Sequence, residues 1–384
     1  MKSSIRTAAM VAFGLALAVF ALLPMFVPHQ TLPALLYGDG SVSMAALLAA
    51  GQLTLADWSK RLAPDGTIDP IVEMLSQQND ILEDAVFMEG NLPTGHRYTQ
   101  RTGLPAVYFR AINQGIPDSK STTTQVDESC AMMEAHGNVD AKLLALNGNS
   151  AAFRLSEDSA FIEAMNQKMA ATIFSGNPAV DQKQFLGMAS RYSSTSAGNG
   201  KNVLLAGGSG SDNASAYLIG WGEQTVFMPF PKGSRAGLQT KDLGEELVSD
   251  GANGKYLAAR SLYQWDAGMA VKDWRYVVRI ANIDVSDWVG VTGTQAWTSA
   301  THVLKMMVRA LARIPNRNMA RLAFYVNRTV GEGLMVQALD RSSNAALAIT
   351  PAVTQFGQSI QQLSFLGVPI RIVDQLGDAE SLVS

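Results

Sequence analysis

The sequence has almost no cysteine: Cys130 stands alone among 384 residues, so no internal disulfide can form. A single thiol is a poor staple for a secreted protein of this size, and a reducing cytoplasm is the expected compartment. Charge is sparse too, at 16% of residues, and 30 basic against 33 acidic side chains leave a net charge of -3. Without a basic excess there is no footprint of tight nucleic-acid binding, so any contact with DNA should be weak or indirect. The four histidines, His29, His96, His136 and His302, are too scattered for a zinc knuckle, and no structural metal is expected. Internal repeats and long low-complexity tracts are also missing. What is abundant is apolar surface: 47% hydrophobic residues can fill a sizeable core, in two or three domains or one large mixed one, which excludes disorder for most of the chain.

The N-terminus conflicts with the cytoplasmic reading. Lys2 and Arg6 precede an uncharged apolar run from Thr7 to Val27, about 20 residues and long enough for a signal core or one membrane span. No small-x-small cleavage site follows between Leu32 and Ser43, and a second methionine, Met44, opens a stretch that reads as an ordinary soluble N-terminus through Trp58. Taken alone, the leader would direct an exported binding or adhesive protein.

From Leu53 to Leu82 the pattern is helical, with Leu55, Trp58 and Leu62 spaced three to four apart, a break at Pro64 to Pro70, then Ile71, Met74, Leu75 and Leu82. Gly95 to Val139 changes character: polar, with strand-like runs at Pro105 to Ile112 and Thr122 to Val126 around a turn at Asn113 to Lys120. This predicts a long polar hairpin with little core of its own, and such a hairpin is marginal in water unless it lies on a neighbour. A helix is expected from an N-cap at Ser156, with Phe161, Met165, Met169 and Ile173 on one face and a stop at Gly176 and Pro178. Further helices are expected at Thr298 to Ile314 and Asn327 to Leu339, and strands at Ala216 to Trp221, Thr225 to Phe230, Trp274 to Ile283, Leu322 to Val326 and Phe365 to Val373. Strands and helices neither alternate strictly nor segregate, which favours an α+β fold over a doubly wound α/β sheet.

Catalytic patterns fail on residue types. Gly207-Gly-Ser-Gly-Ser211 follows an apolar Val203 to Ala206, yet Ser211-Asp-Asn213 stands where a P-loop needs Lys and Ser/Thr to reach phosphate and magnesium. Ser209 lacks the closing glycine of a nucleophile elbow. Asp242, Glu245 and Glu246 read as a solvated acidic face rather than an acid/base pair. Cys130, beside Met132 and Met133, reads as a small buried hydrophobe. Tyr256, Tyr263, Trp265, Trp274 and Tyr276 have no interleaved basic excess, so they read as core and interface rather than a base-stacking platform. The sequons at Asn213 and Asn327 have meaning only in a glycosylating pathway. The residues themselves therefore lead to a non-enzymatic α+β protein with no catalytic residues, no cofactor and no metal.

Several long segments carry a resemblance. Ser215 to Glu223, Pro231 to Leu238, Asp242 to Glu245, Tyr263 to Asp284, the arm Ile81 to Tyr98, Tyr325 to Val330 and Leu366 to Leu376 resemble, in order, the major capsid proteins of short-tailed bacteriophages, whose fold is the Hong Kong 97 type. The resemblance begins near Met44 and runs to the C-terminus. It implies an N-terminal arm over residues 44–94, an extended E-loop over 95–145, a spine helix and peripheral domain over 146–202, and an axial domain over 203–384 with strands returning to the periphery. It implies hexamers and pentamers tiling an icosahedral shell around double-stranded DNA, with scaffolding, portal and cement or decoration proteins as partners and no membrane. The family offers no catalytic residue to carry over. Some capsids of this fold join a lysine near the E-loop tip to a neighbour's asparagine; Lys120 lies near the expected tip, but no partner constellation accompanies it, so non-covalent clamping is expected. The ribbon from Gly95 to Val139 is expected to drive assembly while contributing little to the fold of the monomer.

Residues 1–43 depart from the family. Removing them, with Lys2, Arg6 and Asp39, leaves 28 basic and 32 acidic residues, a net of -4, compatible with DNA confined without being gripped. An apolar leader on every copy would send subunits to a membrane and expose an aggregating surface. Translation is therefore expected to begin at Met44. Mass spectrometry of purified particles should find the mature N-terminus at Met44 or Ala45; peptides from Thr7 to Val27 in shells would refute it.

Overall fold

The computed structural model describes residues 76–146, 150–249, 254–289, 302–339, 347–353 and 359–384. The leader, Met44 and the arm residues Leu55 to Leu75 lie outside them. Of the described residues, those within 76–246 and 258–384 belong to one compact unit, and those within 247–257 fall outside it. The strands, in chain order, are β1 (Phe87–Glu89), β2 (Gly95–Gly103), β3 (Thr122–Asp140), β4 (Val203–Leu205), β5 (Asn213–Trp221), β6 (Val226–Phe230), β7 (Gln239–Ser249), β8 (Lys255–Gly268), β9 (Ala270–Val271), β10 (Val277–Asp284), β11 (Arg321–Val326), β12 (Leu347–Val353), β13 (Ser359–Phe365) and β14 (Val368–Ile372). The longer helices are Ser150–Ser175, Val303–Arg313 and Arg328–Leu339.

Two sheets organise these elements, and the mixture is α+β as expected. The larger has ten strands, with β5 at its centre between β10 and β11, both antiparallel to it. All nine residues of β5 are buried, which is why Asn213-Ala-Ser-Ala-Tyr-Leu-Ile-Gly-Trp221 lacks the alternation of a strand with one wet face. Beyond β11 the order continues β14, β13, β12; β6 continues β5 at Trp221 and carries β1 and β9. The smaller sheet has the order β2-β3-β8-β7.

The long helix lays Met165, Met169, Ile173 and Phe174 into the core, and Phe161 stacks on Tyr263 of β8 with ring centroids 5.4 Å apart. Each such buried side chain contributes roughly 1.5–3 kcal/mol. This helix begins at Ser150, not at a Ser156 cap: the Ser156 hydroxyl donates to the Phe153 carbonyl at 2.9 Å, well inside the helix. Ala151, Ala152 and Leu155 are strong helix formers that extend the helix upstream. The stop falls as expected, at Gly176, where a Cβ would stand 2.4 Å from the Phe185 carbonyl oxygen. The helix Val303–Arg313 starts later than Thr298; His302 caps it by accepting from the Leu304 amide, and residues 298–301 lie outside the described ones.

Two further expectations need correction. Pro105 to Ile112 forms no strand. Phe365 to Val373 is not one strand but the end of β13, a tight turn and β14, with Phe365 paired to Val368. Leu366 and Gly367 both take positive φ there, the backbone that a two-residue hairpin needs; a leucine at the first position hides that turn from a reader looking for Asn-Gly.

Charged locks hold the periphery of the large sheet. Asp84, at the end of the short helix Ile81–Asp84, is buried and accepts from Arg371 of β14 at 3.0 and 3.2 Å, from Arg321 at 3.1 Å and from the Tyr325 hydroxyl at 3.0 Å. Trp221 donates in turn to Tyr325 at 2.7 Å. Burial and the Asp84 charge push the Tyr325 hydroxyl well above its ordinary pKa, so it stays a donor. The C-terminal segment is tied in by Arg279, which pairs with Glu380 at 2.7 Å, and by Asn282, whose amide side chain bonds both backbone groups of Val383. Replacing Asp84 by Ala would strand the half-buried Arg371 guanidinium and the buried Tyr325 hydroxyl, while the exposed Arg321 keeps its bond to the main-chain carbonyl. Breaking a buried pair in this way costs about 3–5 kcal/mol, so Asp84→Ala should lower the denaturant midpoint accordingly; a loss under about 1 kcal/mol would show that the network is dispensable.

Candidate assembly interface

β3 is a 19-residue strand that changes partner along its length. From Cys130 to Asp140 it pairs with β8 inside the small sheet, and from Thr122 to Ser129 it pairs with β2 as a two-stranded ribbon. Between β2 and β3 lie residues 104–121, which form neither strand nor helix.

The ribbon's root is fixed by unusually close contacts. Gly95 faces the Glu128 carbonyl so tightly that a Cβ would stand 2.0 Å from its oxygen, and Gly90 is crowded likewise by the Gly95 carbonyl at 2.4 Å. The Asn91 side chain bonds the backbone N–H and C=O of Arg97, each at 2.7 Å. Glu128, buried at the root, takes a two-pronged bond from Arg191 at 2.7 and 2.6 Å, and Arg191 also donates to the Met269 carbonyl at 2.9 Å. Tyr98 donates to the Val271 carbonyl at 2.8 Å and Gln100 to that of Lys272 at 2.6 Å. Burial and the nearby Glu128 charge raise the Tyr98 pKa, so it remains protonated. His96 sits edge-on to Phe227, and burial together with the Lys272 charge lowers its pKa, favouring the neutral ring.

Further out this support ends. Leu104, Val107, Tyr108, Phe109, Ile112 and Ile116 are all exposed, Phe109 and Ile112 almost entirely. The loop's own bonds are few, among them Ser119 to the Ala106 carbonyl at 2.7 Å. Six large apolar side chains in 13 consecutive positions make a patch of the kind that monomeric proteins rarely leave to water. The expectation for Gly95 to Val139 is therefore corrected: residues 128–140 belong to the body, with Val139 buried and Gly137 against Phe161 and Tyr263, Thr122 to Gln125 are exposed and pair only with β2, and residues 104–121 have no strand partner. The free loop is also apolar rather than polar. Lys120 stands two residues before β3, at the loop's foot rather than its tip.

The discarded chemistry takes structural places. In the Gly207 to Ser211 loop the Gly208 amide donates to the Asn282 carbonyl at 2.8 Å. Asp242 bridges to Arg154 of the long helix at 2.6 Å and Glu246 to Arg260 at 2.7 Å, so these acids are ion-paired as well as solvated. The Arg154 bond and the Gly244 amide hold the Asp242 carboxyl below its ordinary pKa. Arg154 and Asp242 line an open groove of about 730 Å³ between the long helix and the small sheet, with no convergent catalytic pair in it. The Cys130 thiol is pushed up to about 11 by burial and donates to the Pro229 carbonyl. Tyr263, Trp265 and Tyr276 are core. Both sequon asparagines are buried, Asn327 capping the helix Arg328–Leu339 through the Val330 amide at 2.8 Å. Among the described residues no group of three His, Cys, Asp or Glu side chains converges, and no helix is long and apolar enough to cross a membrane.

The family model described as major capsid protein GP7 matches residues 63–384. A chain in the structure of bacteriophage epsilon15 is 30% identical, with a TM-score of 0.64, and the match covers 88% of this chain and 99% of that one. The bacteriophage JBD30 capsid matches over 88% of this chain and 99% of its own at 8% identity and a TM-score of 0.45. The capsid of the native GTA particle matches over 60% and 99% at 10% identity and 0.41. The last two are too distant to add to the assignment. None of the curated proteins matches.

The close approach at Gly95 makes a specific prediction. Gly95→Ala forces the β2–β3 ribbon apart at its root and should cost about 1–3 kcal/mol, as overpacking does. In subunits, trypsin should then cut faster after Arg97 and Arg101 than it does in the wild type; equal rates for the two proteins would show that the root tolerates the methyl group.

Proposed function

Because this chain belongs to the major capsid protein GP7 family, we propose that residues 104–121 are the segment by which one copy clasps the next. The protein is a structural component of a bacteriophage virion, building the capsid shell from many copies, and its fold is the Hong Kong 97 type. The observation that carries the proposal is the row of six exposed apolar side chains on a loop whose root is firmly held. A surface of that kind gains stability only when something covers it, and copies of the same chain are what a shell supplies.

In this reading β2, the part of β3 that pairs with it and the loop between them are the E-loop, the helix Ser150–Ser175 is the spine of a peripheral domain, and the large sheet is the axial domain. The segment before Phe87 is the arm. Head-to-tail contacts of one kind close into rings, so hexamers and pentamers around double-stranded DNA are the expected assemblies, with scaffolding, portal and cement proteins as partners. In this reading the clasp is non-covalent and the protein non-enzymatic. The exported adhesive protein that the leader suggested has no support from a family match covering residues 63–384.

Replacing residues 104–121 by a two-residue turn between Gly103 and Thr122 tests the proposal. The shortened protein should remain soluble, with a melting temperature within a few degrees of the wild type, and form no shells. Normal shells, or a subunit that fails to fold, would contradict it. Denaturing gels of wild-type particles should show monomers; a ladder of covalent oligomers would contradict the non-covalent clasp.

A further inference from the structure

We propose that Arg309, Arg313 and Arg317, with Lys201 beside them, form the face of the subunit that meets the phosphates of the enclosed DNA duplex. The inference rests on the capsid reading and adds a site to it. No Asp or Glu stands between Asp287 and Glu332, while Lys305, Arg309, Arg313, Arg317 and Arg321 recur at every fourth position. On a helix, four residues rise about 6 Å and return close to the same face, which places Lys305, Arg309 and Arg313 along one side of the helix Val303–Arg313, away from the buried Val303, Leu304, Met306, Met307, Ala310 and Leu311. Arg309 is exposed and Arg313 half-buried, and Arg317 follows Pro315 in the short turn Arg317–Met319, where it is exposed.

Among the described residues, no carboxylate neutralises Arg309, Arg313, Arg317 or Lys201. Arg309 reaches only the Met306 sulfur, at 3.7 Å. Arg313 donates to the main-chain carbonyl of Lys201, which brings that lysine's chain against the helix end. Burial, and then the charge of Arg309, lower the Arg313 pKa, so the two guanidinium groups repel. Among the described residues neither these two nor Arg317 nor Lys201 enters an ion pair. The next cations along the chain differ: Arg321 pairs with Asp84 and Arg328 with Asp374. Like charges one turn apart cost a helix a few tenths of a kcal/mol; the Arg313 bond to the Lys201 carbonyl accounts for one of them, and an external polyanion accounts for the row as a whole. Arginine's planar fork suits phosphate oxygens. The overall charge of -3 keeps the contact local and weak, as suits DNA that must be packed and released. Val308 and Met319 are exposed nearby, which makes an acidic protein surface the competing occupant.

The test uses the full chain and the triple variant Arg309→Gln, Arg313→Gln, Arg317→Gln. Binding to a short DNA duplex is measured by fluorescence anisotropy over a salt series, and shell formation by electron microscopy. Every phosphate that the variant no longer neutralises lowers the slope of log affinity against log salt by about 0.9, so the variant should lose roughly forty-fold less affinity than the wild type between about 50 and 200 mM salt. Its shells should form at normal size. Equal slopes would overturn the proposal, and so would a variant that cannot form shells, since the row would then serve protein contacts. Failure of the capsid reading would appear separately, as a wild type that forms no shells.

Discussion

The Glu128 carboxylate marks the point where the ribbon stops being part of the body. Held by both prongs of Arg191, which is itself bonded to the Met269 carbonyl, it fixes β3 where that strand exchanges β8 for β2. An uncompensated buried carboxylate would be costly, so the pair has little freedom to open. Everything inward of it has packing on at least one face. Everything beyond Gly103 and Thr122 has almost none. A rigid root and an uncovered apolar tip are what a reaching segment requires, because the ordering cost of the root is met within the monomer and only the tip remains to be ordered when a neighbour arrives.

The body that bears this root is stiffened in a different way. β5 is buried throughout and hydrogen-bonded on both sides, so the large sheet cannot shear without breaking ladders. Its margins are pinned by charge: Asp84 joins the short helix Ile81–Asp84 to β11 and β14, and Arg279 with Glu380 gathers the C-terminal segment. These locks draw together residues far apart in sequence. Ring and shell geometry transmit stress through subunits, and a close-packed body with pinned margins resists it.

Much of this was legible in the sequence. The buried run at β5, the strand at Arg321–Val326, the helix after Asn327 and the glycine stop at Gly176 follow from apolar runs and local punctuation. The long ribbon was legible too, but its division was not. Thr122 to Asp140 is one continuous strand, and nothing local in Glu128 or Gly95 announces that the pairing partner changes there. Pro105 to Ile112 misled because β-prone residues such as Val107, Tyr108 and Phe109 are exposed rather than paired in a sheet; intrinsic preference cannot tell the two apart. Ser156 satisfied every local rule for a cap, yet the helix-forming alanines before it prevailed.

The most direct test of the central claim is hydrogen exchange measured on free subunits and on assembled shells. Amides of residues 104–121 should exchange at once in free subunits and become protected in shells, while β3 from Cys130 to Asp140 is protected in both. Protection of residues 104–121 in the free subunit, or their rapid exchange in both states, would contradict a loop that clasps the neighbouring copy.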